Sequence, residues 1–258
     1  MDWSLPRPKL RSLAVWQRNV LVWRRLMLPS LMGNFGDPLL YLLGLGYGLG
    51  LYIGHMAGMP YLVFLASGIV ASSAMNTATF EGLYSAFTRM SHQQTYAAML
   101  ATPLQVDDIL AGEMLWCASK SLISGLAILL VAAFFGAVQG PQALWAIPLI
   151  FLTGLAFAGP ALAITAVAPS YDFFMYYFTL VLTPMFLFSG VFYPIDTLPA
   201  LLQGAAQLLP LTHAVALLRP VISGGVVSHG WLHVLVLLGY ALLGYYLATV
   251  LVRRRLLV

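Results

Sequence analysis

Charge is what this chain lacks most. Only 8% of its 258 residues are charged and 61% are hydrophobic, with a mean hydropathy of +0.89, whereas a soluble domain carries about 25% charged residues. Water is therefore not its main solvent. Lysine is nearly absent too, with Lys9 and Lys120 the two present. A phosphate-binding loop needs a glycine immediately before its lysine, and Ser119 stands before Lys120, so the chain has no means of hydrolysing ATP unaided. Its single cysteine, Cys117, excludes an internal disulfide and a thiolate metal centre, and reads as a small core residue. No Gly-x-Ser-x-Gly occurs, and no His is followed five residues later by Asp, which removes two common signatures of membrane enzymes. An N-terminal signal peptide is not expected either, because the charged leader is long and no isolated short apolar run with a cleavage pattern follows it.

Long apolar runs are abundant. About 20 apolar residues span a bilayer core, and six such segments are expected, at about 31–53, 61–84, 109–135, 143–168, 173–191 and 231–252. The expected fold class is thus an all-α polytopic membrane protein with six transmembrane helices, built as one domain over 1–258. Residues 1–30 form the leader, 31–192 spans one to five, 193–230 an outer hairpin, and 231–258 span six with an Arg tail. In the leader, Leu13, Trp16, Val20, Trp23 and Met27 recur at helical spacing with Arg11, Arg18 and Arg25 on another face. That pattern predicts an amphipathic helix lying on the membrane surface, or else a solvated leader.

The net charge of +4 is not a nucleic-acid signal, because the basic residues flank the spans. Arg7, Lys9, Arg11, Arg18, Arg24, Arg25, Arg89 and Arg253, Arg254 and Arg255 fall on one side, and Arg219 alone on the other. Basic flanks mark the cytoplasmic side, so both ends are expected there. The apolar stretch 198–218 could be a further span, but Pro194, Pro199 and Pro210 and the placement of the Arg tail favour a re-entrant or interfacial hairpin on the outer side.

Several local patterns carry more than one meaning. Gly44, Gly46, Gly48 and Gly50 lie inside an apolar run, where Gly-x-x-x-Gly spacing suits close helix packing rather than phosphate binding. Ser72, Ser73, Asn76 and Thr79 fall within an arc of about 120° on the second span, either as interhelical hydrogen-bond partners or as the lining of a path. The run Phe173, Phe174, Tyr176, Tyr177 and Phe178 at the start of the fifth span suits interfacial anchoring or contact with cargo. Lys120 lies deep in the third span with Glu113 on nearly the same face and Glu81 on the second span. These groups form a structural pair, a snorkelling lysine or part of a proton relay. His229 and His233 are spaced as metal ligands or as interfacial polar residues. In HQQTYAAMLATP, Tyr96, Met99 and Leu100 share one face of a short helix that suits a partner groove or the bilayer surface.

The run from Phe186 to Arg219, FLFSGVFYPIDTLPALLQGAAQLLPLTHAVALLR, and the run LATPLQVDDILAGEMLWCASKSL resemble the permeases of the ABC-2 family. Further stretches, WQRNVLVWR, FLASGIVASSAMNTATFE, GLAFA, APSYDFF and the terminal RRRLL, resemble its nodulation J subfamily. That resemblance implies a homodimeric permease of the bacterial inner membrane, working with a separate nodulation I-like ATPase subunit that binds the ATP. It implies that the segment holding Tyr96, Met99, Leu100, Thr102 and Pro103 couples to the ATPase. Ser72, Asn76, Thr79 and Tyr177 are then candidates to line the path of an amphiphilic glycolipid, a lipo-chitooligosaccharide in that subfamily. Another lipid, polysaccharide or drug as cargo, and an ion-coupled transporter using Lys120 and Glu113, remain as alternatives.

Overall fold

The computed structural model describes residues 4–256 apart from 26, 28–35, 37 and 38. The opening of the first expected span, with Asp37-Pro38, lies outside the described residues. A leader helix α1 (Ser12–Arg24) precedes α2 (Leu39–Ile53). Two antiparallel two-residue strands, β1 (His55–Met56) and β2 (Met59–Pro60), follow. Ala57 and Gly58 turn between them, both at positive φ, as the tightest hairpins require.

Helix α3 runs Tyr61–His92, α5 Val106–Phe134, α6 Pro141–Val167 and α10 Gly230–Leu256. Between α3 and α5 lies the short α4 (Thr95–Leu100). After α6 come α7 (Asp172–Phe188), α8 (Ala200–Ala206) and α9 (Pro210–Ser223). α3, α5, α6 and α10 are each long and apolar enough to cross a membrane, and α2 and α7, where spans one and five were expected, are shorter apolar helices. The protein is an all-α polytopic membrane protein. α8 and α9 meet at 85°. The bend has a local cause: Pro210 opens α9, where its missing N–H costs nothing, and cannot continue the helix before it.

The helices approach closely where glycines face one another. A Cβ on Gly244 of α10 would lie 2.6 Å from the backbone of Gly159 and Pro160 on α6. α6 also meets α5 at Gly154, whose added Cβ would be 2.8 Å from the Ala118 Cα. α3 reaches α6 through Gly82, whose Cβ would be 2.8 Å from that of Ala161. Small residues permit such contact in a bilayer, where dispersion replaces the hydrophobic effect as the driving force. The glycine run at 44–50 does less than its spacing suggested. Gly46 abuts Leu62, but Gly44 and Gly48 have nothing within 4 Å, and Gly44–Leu49 winds as a π-helical turn.

The leader is helical, but its packed face differs from the expected apolar one. Ser12, Val15 and Asn19 are buried, while Leu13 is 49% exposed. Gly112 of α5 decides this, because it lets the α1 backbone come so near that an added Cβ would meet Ser12 O and Val15 Cβ at 2.6 Å.

Gly244→Val is expected to destabilise the protein by about 1–3 kcal/mol through overpacking. Gly48→Ala, which enters open space, is expected to change stability by less than about 1 kcal/mol. Thermal unfolding in detergent compares the two.

Candidate functional site

Three buried polar centres organise the molecule, and the first sits between α1, α3 and α5. α3 widens into a π-helical turn at Glu81–Ser85 and another at Thr88–His92, and insertions of this kind recur at functional sites. Glu81 and Arg89 on α3 thereby face Glu113, Trp116 and Lys120 on α5. Glu81 Oε1 accepts from Arg89 Nη1 at 3.0 Å and Trp116 Nε1 at 2.9 Å. Its Oε2 accepts from Lys120 Nζ at 2.8 Å and Ser85 Oγ at 3.0 Å. Glu113 takes Arg89 side-on, Nε at 3.0 Å and Nη2 at 2.5 Å, and also accepts from Asn19 Nδ2 of the leader at 3.2 Å. Every carboxylate oxygen is satisfied, which a buried charge demands if desolvation is not to unfold it. Lys120 therefore pairs with Glu81 across helices rather than with Glu113 along its own.

The second centre ties both ends of the chain to the start of α5. Gln105 and Asp108 form a reciprocal capping box there. Asp108 also accepts from Lys9 N at 2.7 Å, and Asp107 from Arg7 N at 2.8 Å. Arg253 of α10 grips Asp107 with Nη2 at 2.6 and 2.7 Å. Two residues on, Arg255 Nη1 donates to the Thr165, Ala166 and Ala168 carbonyls at 3.0, 3.1 and 2.9 Å. It thus caps the end of α6, where unpaired carbonyls and the helix dipole attract a cation. Among the tail arginines, two have internal partners beyond marking a membrane side.

α4 rests on these two centres. Tyr96 is 1% exposed, with Met99 and Leu100 packed against the same core. Burial, then the Glu113 carboxylate, pushes the Tyr96 phenol pKa well up. The apolar face expected to seek a partner groove is thus filled by the protein itself. What α4 presents outward is Ala97, Ala98 and Ala101, with Thr102 and Pro103 beyond them. The turn is held by Arg11 Nη1 donating to Pro103 O at 2.7 Å and Thr102 Oγ1 to Met99 O at 2.6 Å.

Of the four expected path residues, two line a common cavity. Ser72 and Asn76 of α3 border a space of about 190 Å³ with Ser73, Tyr41 of α2, and Phe178 and Phe186 of α7. Thr79 is buried elsewhere and its Oγ1 has no hydrogen-bond partner. Tyr177 is half-buried against the main core. Ser73 also meets Ser124 Oγ at 2.9 Å, so the polar stripe both joins helices and lines the cavity. Tyr41, Phe186 and Phe192 stack edge-on above it, with centroids 4.8 to 6.1 Å apart. No local sequence pattern marks the pairing of Phe192 with Tyr41.

The third centre lies at the opposite end of α3. Arg219 of α9 donates Nη2 to Gly190 O at 2.6 Å and Nε to Ser67 Oγ at 3.1 Å, and lies 3.6 Å over the Phe64 ring. One cation fastens α9, α3 and the end of α7. His233 pairs with His213 rather than His229, Nδ1 to Nδ1 at 2.7 Å. Among the described residues no group of three or more His, Cys, Asp or Glu could hold a metal ion.

Comparison with known proteins places this geometry in context. Residues 12–223 match the family described as ABC-2 type transporter. The chain is 48% identical over 254 residues to a nodulation protein J of Rhizobium leguminosarum bv. trifolii, covering 98% of this chain and 97% of that one. It is 44% identical to nodulation protein J of Rhizobium meliloti over 98% of this chain and 97% of the relative. The inner membrane transport permease YadH of Escherichia coli is 25% identical over 79% of each chain.

Glu113→Ala is expected to cost about 3–5 kcal/mol by leaving Arg89 with an unmatched buried charge. Combining Glu113→Leu with Arg89→Met is expected to recover most of that loss, as measured by thermal unfolding. A proton relay through Glu113 requires instead that the double variant abolish transport while remaining fully folded.

Proposed function

The chain belongs to the ABC-2 type transporter family, and we propose that its task is to export a lipo-chitooligosaccharide, or a closely related acylated oligosaccharide, across the bacterial inner membrane. The near full-length likeness to nodulation protein J carries this reading. The permease supplies the path and a separate ATPase subunit, of the nodulation I kind, binds and hydrolyses the ATP. Two permease copies pair, each with six spans: α2, α3, α5, α6, α7 and α10. Both termini are cytoplasmic, and the bent pair α8–α9 is a re-entrant hairpin covering the outer end.

In this reading α4 is the coupling helix. Its small outward residues Ala97, Ala98 and Ala101 admit close approach of the ATPase, while Tyr96 beneath them transmits displacement into the ion-pair centre. The same centre is in contact with the leader through Asn19, so movement of α4 reaches α1, α3 and α5 together. The cavity at Ser72 and Asn76 offers hydroxyl and amide groups beside aromatic rings. Sugar rings are recognised by that combination, through hydrogen bonds at their rims and stacking on their apolar faces. A buried, fully paired Glu113 gives an ion-coupled mechanism little support.

Deleting the gene is expected to remove acylated chitooligosaccharides from the culture medium while they persist in cell extracts. Unchanged secretion, in a strain with no second exporter, moves the cargo to another glycolipid, polysaccharide or drug. Within the intact transporter, Ala98→Trp is expected to lower ATP-dependent export at least tenfold while the permease stays folded. Unimpaired export by that variant overturns the docking face assigned to α4.

A further inference from the structure

We propose that the cavity beneath the leader helix binds the phosphate headgroup of an anionic phospholipid, a site separate from the cargo path. The cavity holds about 280 Å³ between α1, α3 and α5, and its walls include Arg18, Arg89 and Lys120. The local charges do not balance. Glu81 and Glu113 are matched by Arg89 and Lys120 in ion pairs of 2.5 to 3.0 Å. Arg18 is left as the third cation, and its side-chain hydrogen bond goes to the neighbouring Asn19 Oδ1 at 3.0 Å rather than to a carboxylate. Burial, and then the positive charge of Arg89, draws the Arg18 pKa down against the opposing pull of the Glu113 carboxylate, which Arg89 already occupies. One phosphodiester carries the single negative charge that is missing, and guanidinium is the group best shaped to bind it.

The surroundings favour a lipid over a free ion. A groove of about 500 Å³ adjoins the cavity along α1 and shares Arg18 and Val22 with it. That groove places Leu21, 56% exposed, and Val22, 48% exposed, beside Arg25. Cations and exposed aliphatic side chains then run side by side, which suits an amphiphile, whereas a bare phosphate would use the cations alone. Trp23 and Trp116 pack edge-on at 5.9 Å at the cavity wall, and indoles favour the headgroup level of a bilayer. A headgroup held here would join the leader to the Glu81–Arg89 turn and stiffen the connection on which α4 rests.

The test uses the purified full chain and native mass spectrometry, counting retained phosphatidylglycerol against phosphatidylcholine of the same acyl length. The wild type is expected to prefer phosphatidylglycerol. Arg18→Gln should reduce that preference about fivefold, the effect of one cation near an anionic lipid. α1 packs through Ser12, Val15 and Asn19, and this variant removes only the Arg18–Asn19 bond while leaving the Asn19–Glu113 bond in place. Arg254→Gln, an exposed arginine outside the cavity, should leave the preference unchanged. No preference in the wild type, or equal losses in the two variants, overturns the proposal. Millimolar inorganic phosphate is expected not to displace the lipid; displacement overturns the lipid assignment in favour of a soluble anion.

Discussion

Burying charge in an apolar protein is costly, and the interaction on which this structure depends is the one that meets that cost. Glu81, Arg89, Glu113 and Lys120 lie among helices that otherwise offer little polar contact. Their ion pairs require α3 and α5 to hold a fixed register, because a slip of one residue would leave a carboxylate or a guanidinium without its partner. The π-helical turn at Glu81–Ser85 is part of that requirement: it lies where the two helices must present Glu81 to both Trp116 and Lys120. Asn19 extends the network into the leader, which turns a polar residue inward on a helix whose sequence advertises an apolar stripe.

The end of the bundle that carries α4 is held by polar bonds, and the middle by glycine contacts. Asp107 gathers the N-terminal leader and the C-terminal Arg253 at a single helix start, which ties both segments to α5. At mid-bundle, Gly159 and Gly244 bring α6 and α10 to backbone contact. At the other end Arg219 is satisfied by carbonyl, hydroxyl and aromatic ring rather than by a carboxylate, and His213 bonds His233 across α9 and α10.

The membrane class was legible because it depends on composition, and composition survives without coordinates. The candidate site was legible only in part. A 100° period places Ser72, Ser73 and Asn76 on one arc, and the cavity lies there; Thr79 sits on the same arc yet is buried against other helices. Tyr177 packs against the main core rather than lining that cavity, and the π-helical turn at Phe178–Leu182 shifts the register of α7 just beyond it. For α4 the pattern of Tyr96, Met99 and Leu100 announced an apolar face correctly, but periodicity cannot say whether the cover is another protein or the same chain.

The sequence by itself determined that this is a membrane-embedded, all-helical protein, because hydropathy and charge placement are properties of residue order, and its resemblance to the ABC-2 permeases pointed to the family. It also marked Lys120, Glu113 and Glu81 as costly residues requiring partners. Only the tertiary structure decided which partners: Lys120 with Glu81, Glu113 with Arg89, Arg253 with Asp107. Such pairings join residues distant along the chain, and they depend on how α3 and α10 pack against α5. That arrangement is set by the three-dimensional packing of many side chains at once, and no local pattern encodes it.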